Sequence, residues 1–443
     1  MQRDLAAQSA HDVPAASPDP MRPPRSEVGV IGWLRHNLFS SWGNALLTVI
    51  ALYLIWRLVD GIVTWGVIHA VWSGDGGEAC RAEGSGACWA FVKAKFGQFV
   101  YGRYPEEERW RVDLVFVMAL AGLAPLMVPP LPGKALAAGY TFVVFPVIAF
   151  WLLTGSQSAP GAGLLDALGL ILAVIGIVAF GLSRSGSARI APQTLKLAGG
   201  LCLLVAYPLV MRWLLSTSGI VHLPAVPTEL WGGLLVTLVV AAVGITGSFP
   251  VGIALALGRR SRMPFVRWAS IGFIEFVRGV PLITVLFMAS VMLPLFLPAG
   301  VSFDKLLRAL VGVAMFAGAY MAETIRGGLQ AIPRGQFEGA MALGLGYWRM
   351  MGLVVLPQAL RLVIPAIVNS FIALFKDTTL VLIVAIFDLL GQLRAAFADP
   401  TWATPVTLFT GFAFAGIIYF LVSFGMSRYA LFMERRLNNE RPR

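Results

Sequence analysis

Long apolar runs separated by short polar segments dominate the chain, and their spacing predicts an all-α polytopic membrane protein with about ten transmembrane helices. Residues 1–40 fall outside this pattern, because QSAHDVPAASPDPMRPPRSE is rich in Pro, Ala and Ser and has too little apolar surface to fold alone. The first apolar run, from Ala45 to Ala70, is long enough to cross about 30 Å of hydrocarbon. It carries Arg57 and Asp60 on one helical face, where they neutralise each other. Further runs at about 113–130, 138–154, 163–182 and 196–214 complete an N-terminal extension over residues 41–215. Asp166, near the start of one of them, reads as a wetted helix end.

From Leu230 the character changes. WGGLLVTLVVAAVGITGSFPVGIALAL is rich in Gly and other small residues, which suits close helix packing. Four more spans follow: FIEFVRGVPLITVLFMASVMLPLFLP, RALVGVAMFAGAYMAETIRGGLQAIP, VIPAIVNSFIALFKDTTLVLIVAIF and TLFTGFAFAGIIYFLVSFGM, giving a core over residues 229–435. Basic residues sort with alternate loops. Arg22, Arg25 and Arg35 precede the first span, Arg184, Arg189 and Lys196 mark a later loop, and residues 215–228 hold no Lys or Arg. Arg259, Arg260, Arg262 and Arg267 form the densest cluster, and Arg428, Arg435 and Arg436 close the chain. The positive-inside rule therefore places both termini in the cytoplasm and the long polar loop 72–111 on the periplasmic side. Cys80 and Cys88 lie in that loop, where an oxidising compartment permits a disulfide without requiring one.

Composition narrows the function classes. The 443 residues are 58% hydrophobic and 13% charged, with mean hydropathy +0.77, which excludes a soluble globule. The net charge of +11 sits in short inter-span loops, so it orients the protein in a membrane and does not announce nucleic-acid binding. Four His and three Cys are too dispersed for a zinc or other metal site. No G-x-x-x-x-G-K-[ST] occurs, so the chain has no P-loop of its own for ATP hydrolysis. The first apolar run begins after about forty polar residues, which argues against a cleaved signal peptide.

One polar stretch interrupts the core: residues 333–361, PRGQFEGAMALGLGYWRMMGLVVLPQALR. Arg334, Glu338, Arg349 and Arg361 keep it out of lipid. Helical spacing predicts a short amphipathic piece over Phe337–Leu345, with Phe337, Met341, Gly344 and Leu345 on one face, and a second piece ending at Pro357. Gly339, Ala340 and Gly344 leave room for another surface to approach the backbone. The pattern Glu338-Gly339-Ala340, three residues, Gly344, nine residues, Val354, one residue, Leu356-Pro357 resembles the E-A-A…G…I-x-L-P loop of ATP-binding-cassette (ABC) importer permeases. Every spacing is kept, with Gly for the second Ala position and Val for Ile.

The resemblance extends from about 230 to 435. FVRGVPL at Phe276–Leu282, AYMAETIRGGLQAIPRGQ at Ala319–Gln336, LPQALR and FKDTTL are similar to the permeases of polar and general L-amino-acid importers, the histidine and glutamine group. The extension and its opening IGWLRHNLFSSWGNALLT are most similar to the longer permeases of general L-amino-acid systems. The resemblance implies that the C-terminal five spans form a type I ABC importer permease core, with a cytoplasmic coupling helix over residues 337–357. It also implies a second homologous permease, two ABC ATPase subunits carrying ATP and Mg, a periplasmic amino-acid-binding protein, and an inner-membrane location. The chain itself would then be a non-catalytic transport subunit.

Charged residues within the core raise further expectations. Lys376 and Asp377 interrupt an apolar run of about thirty residues, too long for one straight membrane-spanning helix. A break at KDTT inside the membrane must face protein or a watered cavity. Lys376, Asp377, Thr378 and Thr379 are thus candidate contacts for a zwitterionic amino acid, the alternative being an internal Lys376–Asp377 ion pair. Glu275 and Arg278, and Glu323 and Arg326, share a three-residue spacing that predicts local salt bridges supporting the coupling loop or forming a gate. A secondary transporter driven by an ion gradient is the competing class, since Asp60, Glu275 and Asp377 offer intramembrane carboxylates, but it leaves the coupling pattern without a role. An embedded enzyme lacks any paired nucleophile and base.

Overall fold

The computed structural model describes residues 29–155, 162–185, 192–217, 223–298 and 303–439. Most of the expected tail, with Arg22 and Arg25, lies outside these residues, as do Arg189 and the side chain of Arg184. Two compact units divide the chain: residues 1–71 with 83–87, and residues 72–82 with 88–443.

In the first unit, α1 (Gly29–Asn37) precedes α2 (Trp42–Val63). Ser41 caps α2 by accepting from the Asn44 N–H, leaving one fewer orphan donor at the helix start. A π-helical turn, Thr64–Ile68, prolongs the apolar span to 27 residues. Arg57 and Asp60 pair at 3.8 Å on its flank, as the spacing predicts. The Gly86 and Ala87 N–H groups donate to the His69 and Trp65 carbonyls and tie the short 83–87 segment to the end of this span.

The second unit begins with a departure from expectation. The 72–111 stretch is no plain loop, because it folds α3 (Trp89–Tyr101), with Ala90, Phe91, Val92 and Phe99 buried. Then come α4 (Arg109–Met127), α5 (Lys134–Gly139), which runs through a π-helical turn into α6 (Phe145–Thr154), α7 (Ala162–Ser185) and α8 (Pro192–Thr217). Arg111 is fully buried, donating to Glu108 and to the Pro224 carbonyl, so the guanidinium is matched rather than stranded.

The later helices are α9 (Gly233–Arg259), α10 (Pro264–Gly279), α11 (Leu282–Phe287), α12 (Lys305–Gln330), α13 (Arg334–Ala342), α14 (Tyr347–Met350), α15 (Leu356–Asp377), α16 (Leu389–Phe397) and α17 (Pro405–Asn439). Helix α11 continues through non-α turns to Phe296, and Val280 before Pro281 is extended, so α10 and this stretch bend by 109°. The second core span is therefore broken at Pro281. Among the described residues eight helices are long and apolar enough to cross a membrane, the bent pair makes a ninth, and Ala198–Met211 of α8 is a shorter apolar stretch. About ten crossings and an all-α fold agree with the hydropathy pattern.

Small residues set the closest packing. A Cβ on Gly252 of α9 would stand 2.6 Å from Met321 Cγ of α12, and one on Gly318 would stand 2.5 Å from Val251 Cγ1. Two buried clusters result. One joins Val112 and Val115 of α4 and Leu152 of α6 to Leu235 and Val240 of α9, Leu286 of α11 and Val313 of α12. The other joins Ala256, Ile274, Met321 and Ile325 to Ala340, Met350, Val355 and Ala359 around the polar stretch. Helices α4 and α6 of the extension thus share a core with α9, α11 and α12 within one compact unit.

Candidate functional site

The segment after α12 builds a projecting element from short-range chemistry. Helix α13 ends in a Schellman turn: Gly344 adopts φ +74°, its N–H donates to Met341 O, and the Leu345 N–H donates to Ala340 O. Glycine enters that conformation at the lowest cost, with Asn and Asp next, which suits Gly344 to the reversal. Ala340 is buried, and Phe337, Leu345, Val354 and Leu356 pack partly buried against the same cluster. Arg260 of the loop after α9 lies over the Phe337 ring at 5.6 Å.

Two expectations for this stretch are corrected. Met341 does not share the buried face with Phe337: it is 56% exposed, because a nine-residue helix turns Ala340, not Met341, inward. Pro357 does not end the second piece either. A π-helical turn, Met351–Val355, carries α14 into α15, where Pro357 sits in the first turn and needs no amide partner, so residues Tyr347–Val384 form one continuous span. Outward from the bundle stand Glu338, Gly339, Met341, Leu343, Gly344, Trp348 and Leu353, most of them apolar or small. The spacing pattern contains no sign of Leu343 or Trp348, whose exposure follows from the turn.

Behind this element lies an ion cluster. Glu323 of α12 accepts from Arg326 at 2.8 Å, as the local spacing predicts, and also from Arg259 of α9 at 2.7 Å. Glu275 does not pair with Arg278. It meets Arg259 at 3.0 Å, while Arg278 reaches Glu323 at 3.7 Å and stacks over Tyr320. The helices α9, α10 and α12 bring residues of distant sequence closer than neighbours on α10. Arg259 was legible only as one of several basic residues orienting the membrane protein.

The expected break at KDTT is a tightening of the helix within one span: α15 ends at Asp377 and passes directly into a 3₁₀ helix over Thr378–Val384, and the chain leaves the helix only at Ala385. Lys376 and Asp377 form no ion pair among the described residues. The Thr378 hydroxyl donates to Phe375 O and that of Thr379 to Lys376 O, so both are spent on the local backbone. Lys376 instead faces a cavity between α15 and α17, with Asn369, Tyr419, Ser423 and Ser427. The four residues are not brought together as one zwitterion site.

At the far end of the bundle, Cys80 and Cys88 are joined by a disulfide with Cα atoms 5.8 Å apart. The segment around them is laced to the α16–α17 region: Gly77 N–H to Thr401 O at 2.8 Å, Cys88 N–H to Thr410 Oγ1 at 2.8 Å, and Lys95 to Asp399 at 2.5 Å. Phe91 packs among Phe99, Phe397 and Trp402. No cluster of three or more His, Cys, Asp or Glu suited to a metal occurs among the described residues.

Residues 248–439 match the family described as Binding-protein-dependent transport system inner membrane component. The chain is 44% identical over 409 residues to the inner membrane amino-acid ABC transporter permease protein YhdY of Escherichia coli, covering 92% of this chain and 93% of that one. It is 40% identical to the glutamate/glutamine/aspartate/asparagine transport system permease protein BztC of Rhodobacter capsulatus, covering 95% and 96%. A shorter relative, the probable glutamine ABC transporter permease protein GlnP of Bacillus subtilis, is 33% identical over 47% of this chain and 93% of its own. Multiple apolar spans, a projecting helix closed at Gly344 and similarity along nearly the whole length agree: the chain belongs to the inner-membrane components of binding-protein-dependent transport systems, as a multi-pass permease subunit of an ABC importer.

Proposed function

We propose that this permease carries L-amino acids across a bacterial inner membrane, with a second homologous permease, two ABC ATPase subunits and a periplasmic amino-acid-binding protein. The substrates named for YhdY, BztC and GlnP support that class. ATP and Mg are held by the ATPase subunits, and this chain contributes no catalytic group. Residues 1–40 act as a cytoplasmic tail, 41–215 as an extension and 229–435 as the transport core, with both termini cytoplasmic. The basic cluster Arg259, Arg260, Arg262 and Arg267, next to the projecting α13, supports that orientation.

The outward face of α13 and its turn carries this reading. Gly339 and Gly344 present little bulk beside Glu338, and the buried Ala340 with Val354 and Leu356 roots the element in the core, while Pro357 stands exposed in the first turn of α15. A force applied to that face is passed to α12 and α15 through packed side chains. The Glu323 cluster, spanning α9, α10 and α12, acts as a gate latch at the same end. Nucleotide shifts the inward–outward equilibrium only by its differential affinity for the two states, delivered through this contact. Lys376, Asp377, Thr378 and Thr379 lie along the proposed path, with Lys376 as the member that faces open space. Purifying the complex from cells through a tag on this chain tests the reading. An ATPase and a second permease should copurify, and amino acids with their binding protein should stimulate ATP hydrolysis. Uptake by the chain alone, driven by an ion gradient, would overturn it.

A further inference from the structure

We propose that Arg260 is a positioning residue for coupling, because its contact with Phe337 ties the projecting α13 to the end of α9. The proposal rests on the reading of this chain as an ATP-driven permease whose α13 meets the ATPase. Three consecutive residues at the close of α9 make the junction. A Cβ on Gly258 would collide with the Ser270 hydroxyl of α10, so α9 and α10 meet there without a gap. Arg259 bonds both Glu275 of α10 and Glu323 of α12. Arg260, the C-cap of α9, places its guanidinium 5.6 Å from the centre of the Phe337 ring. The same side chain reaches the Leu329 carbonyl, in the last turn of α12, at 3.4 Å.

Beyond apolar packing, two side-chain contacts hold α13 to the spans among the described residues. Gln336 accepts from Gln358 of α15 at 3.1 Å, and Phe337 lies under Arg260. The first leads into the long span of α15, the second to the ion cluster. A displacement of α13 that carries Phe337 with it pulls on Arg260, and the peptide bond passes that pull to Arg259. The two carboxylates of Arg259 sit at 2.7 and 3.0 Å. Such bonds weaken steeply with distance and angle, so a small shift at the end of α9 changes the cluster. Arg262 and Arg267 belong to the same basic run, but their side chains make no ion pair, hydrogen bond or ring contact among the described residues. Charge counting treats the run as uniform; the geometry separates Arg260 as the member that also links.

Uptake and ATP hydrolysis by the assembled complex in proteoliposomes, with loaded binding protein, test this. The readout is uptake per ATP, which a simple loss of assembled complex does not move, because missing complexes do neither. Arg260→Gln and Phe337→Leu should each lower it by about 2–5-fold, the worth of one exposed cation–π contact. The double variant should fall no further than either single one, as two partners in one contact require. Arg260→Lys, which keeps a cation over the ring, should retain most of the coupling. Arg262→Gln removes the same charge from the same loop and should match wild type. If Arg260→Gln fails to assemble, Phe337→Leu decides the matter, since it leaves every charge in place. Unchanged uptake per ATP in Phe337→Leu, losses that multiply in the double variant, or an equal loss in Arg262→Gln would overturn the junction and leave the importer reading intact. A wild-type complex without ATP-driven uptake would overturn both.

Discussion

Arg259 of α9 and Glu323 of α12, sixty-four residues apart in sequence, meet at 2.7 Å. This contact makes Glu323 the hub of the cluster, because Arg326 and Arg278 converge on the same carboxylate and Arg259 goes on to Glu275. Three guanidiniums (Arg259, Arg278 and Arg326) face two carboxylates, so the arrangement depends on Glu323 remaining charged.

Removing that charge should therefore hurt more than removing its neighbour's. Glu323→Gln is expected to destabilise the complex by about 1–3 kcal/mol, since three partly buried cations lose their shared partner. Glu275→Gln, with a side chain 55% exposed, is expected to cost under about 1 kcal/mol. Thermal unfolding of the purified complex compares them, and equal losses would show that Glu323 is not the hub.

The segment around Cys80 and Cys88 gives a second prediction. Closing so short a loop is worth about 2–3 kcal/mol, mostly against the unfolded chain. Cys80→Ser with Cys88→Ser should loosen the backbone around Gly77 and Cys88, where the bonds to Thr401 and Thr410 are made, before any global unfolding. Hydrogen exchange restricted to residues 72–104 checks it; uniform loss of protection would contradict it.

A pH dependence follows from Asp399. Its carboxylate accepts from Lys95 and from the Thr401 N–H, and these bonds hold its pKa below the usual aspartate range. A depressed folded pKa gives stability that is fully present above the unfolded value of about 3.9 and is lost as pH falls through the folded value. Exchange in α3 should accelerate on acidification below about pH 4, and Asp399→Asn should flatten that response. The same acid response in Asp399→Asn would remove Asp399 from the account.

Close packing of α9 on α12 predicts intolerance of one methyl group. In Gly252→Ala the new Cβ would lie 2.6–2.7 Å from Met321 Cγ and Cβ, near the stem of that side chain, so the helices must separate. Overpacking of this kind costs about 1–3 kcal/mol. A melting temperature equal to wild type would show that the interface yields freely.

How much of this was legible in the sequence depends on range. Span number, the Arg57–Asp60 pair and Glu323–Arg326 follow from periodicity and i,i+3 spacing, which act within a turn or two. Gly344 was marked by its place in the coupling pattern, and its φ of +74° supplies the physical reason. The Glu275 partner was missed because α9 reaches it across sixteen residues and a loop. Helix α3 was missed because a polar connection with two cysteines has no strong helical period, and its buried face is set by Phe397, Trp402 and Phe414. Lys376 and Asp377 read as one unit in sequence, but a helix end sends adjacent side chains to different surroundings.

On the proposed function, force from the ATPase enters through the face around Gly344. Nothing lies within 4 Å of a Cβ at this position, so Asp or Asn there meets no clash inside the chain; the left-handed backbone costs on the order of 1 kcal/mol and both residues tolerate it better than most. Uptake and ATP hydrolysis should be measured side by side in proteoliposomes for wild type, Gly344→Asn and Gly344→Asp. Normal assembly is expected for both variants, with uptake per ATP falling at least about tenfold in Gly344→Asp. Wild-type uptake and coupling in Gly344→Asp would contradict it.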